Sequence, residues 1–232
     1  MKDGTGPIFL PTELEEKVSA TVDVFWSFRS PYSRLVVPDL VQLRDDFQVE
    51  VRFRPVFPLA IRNPDSIFDP NDRRAPMYIV RDSMRRGEML GRPVVYPLQP
   101  DPIVQDFATM KVSPEQPYIY RLTKLGVEAA RRGKGLEMAG AVSAMIFGGT
   151  KDWDKGALLS DALSGVGLDL AELDQAIENG DHLEEVDRNQ EALDASGHWG
   201  VPTMVFQEEP FFGQDRIDTL RWRLESAGVA KR

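Results

Sequence analysis

Hydrophobic and polar positions alternate over residues 22–28, Val-Asp-Val-Phe-Trp-Ser-Phe, and the run is rich in β-formers, so it reads as a strand. Past Ser30 the period lengthens: Val36, Leu40, Leu43 and Phe47 form the stripe of an amphipathic helix. Ser30 is a favoured N-cap, and Pro31 suits the first helical position, where its missing N–H is not required. Pro38 lies inside this helix and predicts a kink. A second strand follows over 49–57, with Val49, Val51 and Phe53 on one side and Glu50, Arg52 and Arg54 on the other. A strand, helix and strand joined this way make a parallel unit. The C-terminal ends of its strands share one edge, where such sheets bind ligands.

Residues 58–76 are irregular and hold Pro58, Pro64, Pro70 and Pro76. Arg62 and Asn63 fall where the exit loop of the second strand passes near the Ser30 helix start; they read equally as ligand contacts or as ordinary loop residues. A helix is predicted over 77–90, ending at Gly91, with Arg81, Arg85 and Arg86 on a solvated face. The proline-rich stretch 92–117 predicts a long connection over the ligand edge. Ser113-Pro114-Glu115-Gln116 matches a capping box for a helix running to about residue 132, with Pro117 delaying its start. Further helices are predicted over 136–147, where Ala139, Gly140, Ala141 and Ala144 allow close packing, over 152–164, and after the capping-box-like starts at Asp169 and Asp181.

After Gly197 the period of two returns. Residues 200–206 read as a strand carrying Pro202, 207–210 as a turn, Phe211-Phe212 as a short edge strand and 214–226 as a helix with Ile217, Leu220 and Leu224 at core spacing. The order is βαβ, a long helical run, then ββα, which is an α/β fold with a split core. Residues 21–63 and 197–228 make one discontinuous domain, 64–196 a helical insertion, and 1–20 an N-terminal extension kept non-helical by Pro7 and Pro11.

Composition narrows the chemistry. The 232 residues are 42% hydrophobic and 28% charged, as in ordinary soluble globular proteins. The net charge of −9 argues against nucleic acid as a partner, and any anionic ligand needs local positive groups. No apolar run reaches the ~18 residues of a membrane span. Residues 1–7 lack the charged start and apolar core of a signal peptide, so the cytoplasm is the expected location. Cysteine is absent, which excludes disulfides, thiolate metal sites and any protein-borne thiol chemistry. His182 and His198 do not sit at a ligand spacing, so no metal site is expected; His198, beside Trp199, reads as structural or pocket-lining.

Three motifs then align in order: Phe28-Arg29-Ser30-Pro31-Tyr32-Ser33, Gly200-Val201-Pro202-Thr203 and Phe211-Phe212-Gly213-Gln214-Asp215-Arg216. Together with Arg54-Pro55-Val56 and the helix near Asp82, they resemble the thioredoxin-like, DsbA-type proteins with a helical insertion. Within that group the chain resembles 2-hydroxychromene-2-carboxylate isomerases and kappa-class glutathione transferases. The resemblance implies that glutathione supplies the sulfur that the Ser30–Ser33 corner lacks. It implies Ser30 as the catalytic hydrogen-bond donor to the thiolate, and Val201, before a cis proline, as a backbone partner of the cysteinyl part. Gly213, Gln214 and Asp215 would hold the γ-glutamyl end, Asp215 taking its ammonium group. The lesser alternative for Asp215 is a plain charge at the helix start. Arg62 and Asn63, with Arg52 as a weaker candidate, would hold an anionic aromatic substrate. The implied activities are thiol-dependent isomerisation of a conjugated aromatic acid, conjugation of glutathione to an electrophile, or binding without catalysis; a dimer is common in the family. Ser27 stands where family members often carry an acid, and Arg34 where they often carry an aromatic residue. Residues 65–74 also depart from the family pattern.

Overall fold

The computed structural model describes residues 20–64 and 69–232. Among these, four strands form one sheet in the order β2-β1-β3-β4. β1 (Ala20–Trp26) and β2 (Val49–Pro55) are parallel, with Val22 opposite Val51 and Trp26 opposite Pro55. β3 (Thr203–Phe206) runs antiparallel along the other side of β1, and β4 (Glu209–Phe212) is the antiparallel edge. Strand periodicity splits the β1 side chains between two faces. Val22, Val24 and Trp26 enter the main core, whereas Phe25 joins Val56 and Leu193 on the other face.

α1 (Pro31–Asp46) buries Leu35, Val36, Leu40 and Leu43 in the main core. It runs through Pro38 without a break. Between β2 and β3 lie α2 (Leu59–Arg62), α3 (Arg74–Met89), α4 (Ile119–Arg131), α5 (Gly135–Phe147), α6 (Leu158–Ser164), α7 (Leu170–Glu178) and α8 (His182–Ala195); α9 (Ile217–Ser226) closes the chain. Small residues set how near these helices come. A Cβ at Gly140 of α5 would lie 3.5 Å from Val37 Cγ1, and one at Gly126 of α4 only 2.8 Å from Phe28 Cε2, inside the ring's contact radius. Phe28 is thus pinned between α4 and Trp26, whose ring it meets edge-on at 4.7 Å.

The described structure departs from the sequence expectations at element ends. β1 stops at Trp26 because residues 27–29 turn, the Ser30 N–H reaching the Ser27 carbonyl at 3.2 Å. α3 begins at Arg74, three residues earlier than expected, since Pro76 in a first turn forfeits no required N–H. The Ser113 capping box does not form; Ser113 Oγ accepts from the Glu115 N–H in a local turn, and α4 starts at Ile119. Residues 151–157 are turns, with Asp152 and Gly156 at positive φ, so the helix predicted from 152 starts only at Leu158. Asp169 caps α7 as expected, its Oδ1 accepting from the Glu172 N–H at 2.9 Å. Asp181 instead pairs with Arg131 at 2.6 Å. The hairpin turn is Gln207-Glu208 alone, both at positive φ, which frees Pro210 to join the edge strand. α9 begins at Ile217 rather than at 214. The expected extension over 1–20 lies outside the described residues except for Ala20, which opens β1.

Candidate active site

The strand-to-helix corner is built locally. Ser30 is extended at φ −92° and ψ 117°, the conformation a residue before proline is held to, and it caps α1 with Pro31 in the first turn. Its Oγ accepts from the Ser33 N–H at 3.2 Å and donates to the Val201 carbonyl at 3.2 Å. Trp26 Nε1 donates to the Ser33 carbonyl at 2.8 Å, tying the end of β1 to the same turn. The Val201–Pro202 bond is cis, as the sequence predicted. One hydroxyl therefore joins the helix start to the cis-proline loop, at the positive end of the α1 dipole.

Beyond β4, Gly213 sits at φ +105°, open to glycine and strained for other residues. Its N–H donates to the Pro202 carbonyl at 2.9 Å, and a Cβ there would lie 2.8 Å from Asp215 Oδ1. Gly213, Gln214 and Asp215 form a turn, with Arg216 as the N-cap position of α9. This corrects the expectation that they open the helix: α9 starts only at Ile217, so Asp215 lies in the turn before it and is no first-turn helix charge. Asp215 is exposed and paired with Arg216 at 2.9 Å. Gln214 is buried, and its Oε1 accepts from Arg86 Nε at 3.1 Å. Arg86, expected on a solvated face, is thus what links α3 to this turn.

The expected substrate residues divide. Arg62 reaches the site but points into the protein's own backbone: Nε donates to the Phe57 carbonyl at 2.6 Å and Nη2 to the Trp199 carbonyl at 2.8 Å. Burial lowers its pKa, and Asp194 offsets this in part. Asn63 is exposed and ends α2, its N–H on the Leu59 carbonyl. Arg52 is not brought to the corner. It lies opposite Asp23, three steps before the Trp26–Pro55 pair, about 10 Å along the strand, and pairs with Glu50.

On the opposite side, the sequence motifs include Arg29, Tyr32 and Asp82 without assigning them a role, and do not include Asp101 or Tyr96. Arg29 forms a two-bonded pair with Asp101 at 2.5 and 2.7 Å, under the Tyr96 ring. Burial opposes the Arg29 charge, but Asp101 and Tyr96 outweigh it and keep the guanidinium above its ordinary range. Tyr32 donates to Asp82 at 2.7 Å; burial and that carboxylate raise the phenol pKa. Arg85 and Tyr32 in turn hold Asp82 below the usual carboxylate range. Arg34, one turn below Ser30, is half-buried, and burial followed by the nearby Arg92 lowers its pKa.

His198 Nδ1 accepts from the Gly200 N–H at 2.9 Å, which puts the proton of the neutral ring on Nε2. Burial lowers its pKa below the ordinary 6.5. The unfolded chain therefore takes up a proton before the folded protein does, and stability falls as pH drops below about 6.5. Thermal unfolding between pH 7.5 and 5.5 should show this slope, and His198→Asn should flatten it. An identical slope in the variant would remove the assignment.

Comparison with known proteins agrees with this architecture. A family model for the DSBA-like thioredoxin domain matches residues 118–225. The fold is similar to that of 2-hydroxychromene-2-carboxylate isomerase, at 20% identity and a TM-score of 0.64, over 90% of this chain and 99% of that one. It is also similar to the cytosolic disulfide reductase DsbM from Pseudomonas aeruginosa, at 14% identity and a TM-score of 0.58, over 88% of this chain and 98% of that one. A structure of DsbM with GSH is similar at 15% identity and a TM-score of 0.53, over 88% and 99% of the two chains. No curated protein matches by sequence. At these identities the likeness carries the fold. Among the described residues no helix is long and apolar enough to cross a membrane.

Proposed function

Starting from a chain with a DsbA-like thioredoxin fold and a helical insertion, we propose a glutathione-dependent isomerase acting on a conjugated aromatic acid such as 2-hydroxychromene-2-carboxylate. The observation that carries this reading is Ser30 Oγ, which caps α1 and lies 3.2 Å from the carbonyl before cis-Pro202, in a chain without cysteine. The residues present suit glutathione. At Gly213, where a Cβ would crowd Asp215 Oδ1, bare backbone lies beside the exposed Asp215 carboxylate, and the turn joins the cis-proline loop through the Gly213–Pro202 bond. When bound, glutathione supplies a thiolate that adds reversibly to the conjugated alkene, so that the bond can rotate before the thiol leaves. Ser30 turns its proton from the Val201 carbonyl to the sulfur, and the α1 N-terminus favours the ionised form. Val201 aligns the cysteinyl backbone as an added strand would. Gly213, Gln214 and Asp215 hold the γ-glutamyl end, Gln214 through its backbone because Arg86 occupies its side-chain oxygen. Arg62 and Asn63 lie on the substrate side.

Glutathione mixed with the chromene carboxylate and, separately, with a chloronitrobenzene tests the reading. Isomer without conjugate is the expected result; conjugate alone replaces the isomerase with a transferase, and no product removes the enzyme. Asp215→Ala should weaken glutathione binding roughly five- to a hundredfold, the scale for losing a charged partner. Stability should move little, as the side chain is exposed and outside α9. Calorimetric titration with unchanged affinity would free Asp215 of any ligand role.

A further inference from the structure

Three aromatic rings rim the cis-proline loop. His198 stacks on Trp199, with ring centroids 5.4 Å apart at 21°, and on Phe212 at 4.0 Å and 24°. Trp199 and Phe212 are 48% and 43% exposed, while Trp26 and Trp153 are buried. The platform is held from several sides. The Phe212 ring lies on the bare backbone of Gly200, where a Cβ would meet it at 2.4 Å; His198 accepts from the Gly200 N–H; Arg62 holds the Trp199 carbonyl. A rigid aromatic surface left open to water gains nothing for the core, but it offers a preformed stacking face.

Its position points to the occupant. Trp199 is two residues before Val201, whose carbonyl meets Ser30 Oγ at 3.2 Å; two residues span at most about 7 Å. Phe212 directly precedes Gly213. A planar ring on this platform therefore lies within a small molecule's length of the corner. Charge adds the second element. Arg62 bonds only neutral carbonyls, with Asp194 acting on it from a distance, so among the described residues it is a cation without a bonded acid, in a chain of net charge −9. Its grip on the Trp199 carbonyl keeps that charge at the platform.

We propose that His198, Trp199 and Phe212, with Arg62 beside them, form the subsite for the planar carboxylate-bearing ring of the electrophile. Trp199 supplies the stacking face and Arg62 the charge that selects an anion. This rests on the proposed function for the reaction, but ring binding can be measured without turnover.

The probe is 2-naphthoate, titrated calorimetrically into the full chain with and without glutathione, against cyclohexanecarboxylate as the non-planar acid. Naphthoate should bind more tightly than cyclohexanecarboxylate. Trp199→Ala should weaken naphthoate about three- to tenfold, and Trp199→Phe should restore most of the loss. Glutathione affinity should stay within twofold. Because Trp199 is half exposed, the alanine variant should fold, and its far-ultraviolet dichroism checks this. Equal naphthoate affinity in wild type and Trp199→Ala overturns the subsite. So does a wild-type dimer, seen by sedimentation, that Trp199→Ala dissociates without changing naphthoate affinity, since the rings would then cover a second copy. Naphthoate binding that depends on Trp199 in a protein that does not bind glutathione supports the subsite and removes the isomerase reading.

Discussion

In Ser30→Ala, turnover of the chromene carboxylate falls roughly ten- to a hundredfold while glutathione affinity changes by less than about threefold. The hydroxyl gives one hydrogen bond to a charged sulfur, worth ~1.5–3 kcal/mol. The contacts assigned to binding lie elsewhere, at Val201 and the 213–215 turn. At 1.36 kcal/mol per unit, the bound thiol pKa rises by about one to two units. The hydrogen bond Ser30 now makes competes weakly, because at 3.2 Å its donation to the Val201 carbonyl is long for a hydroxyl. Alanine also removes the cap on the Ser33 N–H, at a cost of about 1 kcal/mol in stability. Ser30→Gly separates the two effects: glycine caps almost as well, within a few tenths of a kcal/mol of serine, but has no hydroxyl. It should therefore keep most of the stability and lose the same turnover. Thiolate absorbance near the ultraviolet edge, titrated against pH with glutathione bound, reads the pKa directly. A bound-thiol pKa shared by wild type, Ser30→Ala and Ser30→Gly would leave Ser30 as a helix cap only.

What the sequence revealed is what is decided within a few residues. The Ser30–Pro31 start needs only an N-cap and a fixed φ, and the Asp169 cap of α7 is equally local. Gly213 was reached only through the family resemblance of its motif; its φ of +105° is a local demand that glycine meets. Arg62 lies on the segment that leaves β2, yet its partners are the Phe57 and Trp199 carbonyls, and Trp199 is 137 positions away. No local pattern encodes that distance. Arg86, on a helix read as solvated, bonds Gln214 across 128 positions for the same reason. Ser113 and Asp152 failed in the opposite way. Their local signals were present, but a turn hydrogen bond and positive φ at Asp152 used those residues outside helices. The aromatic platform gave one partial signal, His198 beside Trp199; Phe212 joins them only through the β3–β4 hairpin.

Asp101→Ala should destabilise the protein by about 3–5 kcal/mol, the scale for stranding one member of a buried ion pair. Arg29 and Asp101 are only 19% and 17% exposed, and their two bonds leave little for water to replace. Asp101 Oδ1 also accepts from the Ile103 N–H at 3.0 Å, and next to it the Pro100 carbonyl takes the Trp153 indole N–H at 2.8 Å. The substitution therefore frees an arginine charge beside Ser30 and loosens the connection that crosses the corner. For a chain of this size the melting temperature should fall by roughly 6–20 °C. The double variant Arg29→Met/Asp101→Leu discriminates the cause. With both charges gone and apolar volume in their place, much of the lost stability should return, because such pairs roughly balance desolvation against attraction. The pair's contribution to the site is then read separately, as the bound-thiol pKa and turnover of the double variant. If Asp101→Ala unfolds within about 1 kcal/mol of wild type, the Arg29–Asp101 pair is solvated in practice and is no wall of the site. If the double variant is as unstable as Asp101→Ala, the loss comes from the Ile103 and Pro100 anchoring of the connection, and the buried charge is not its cause.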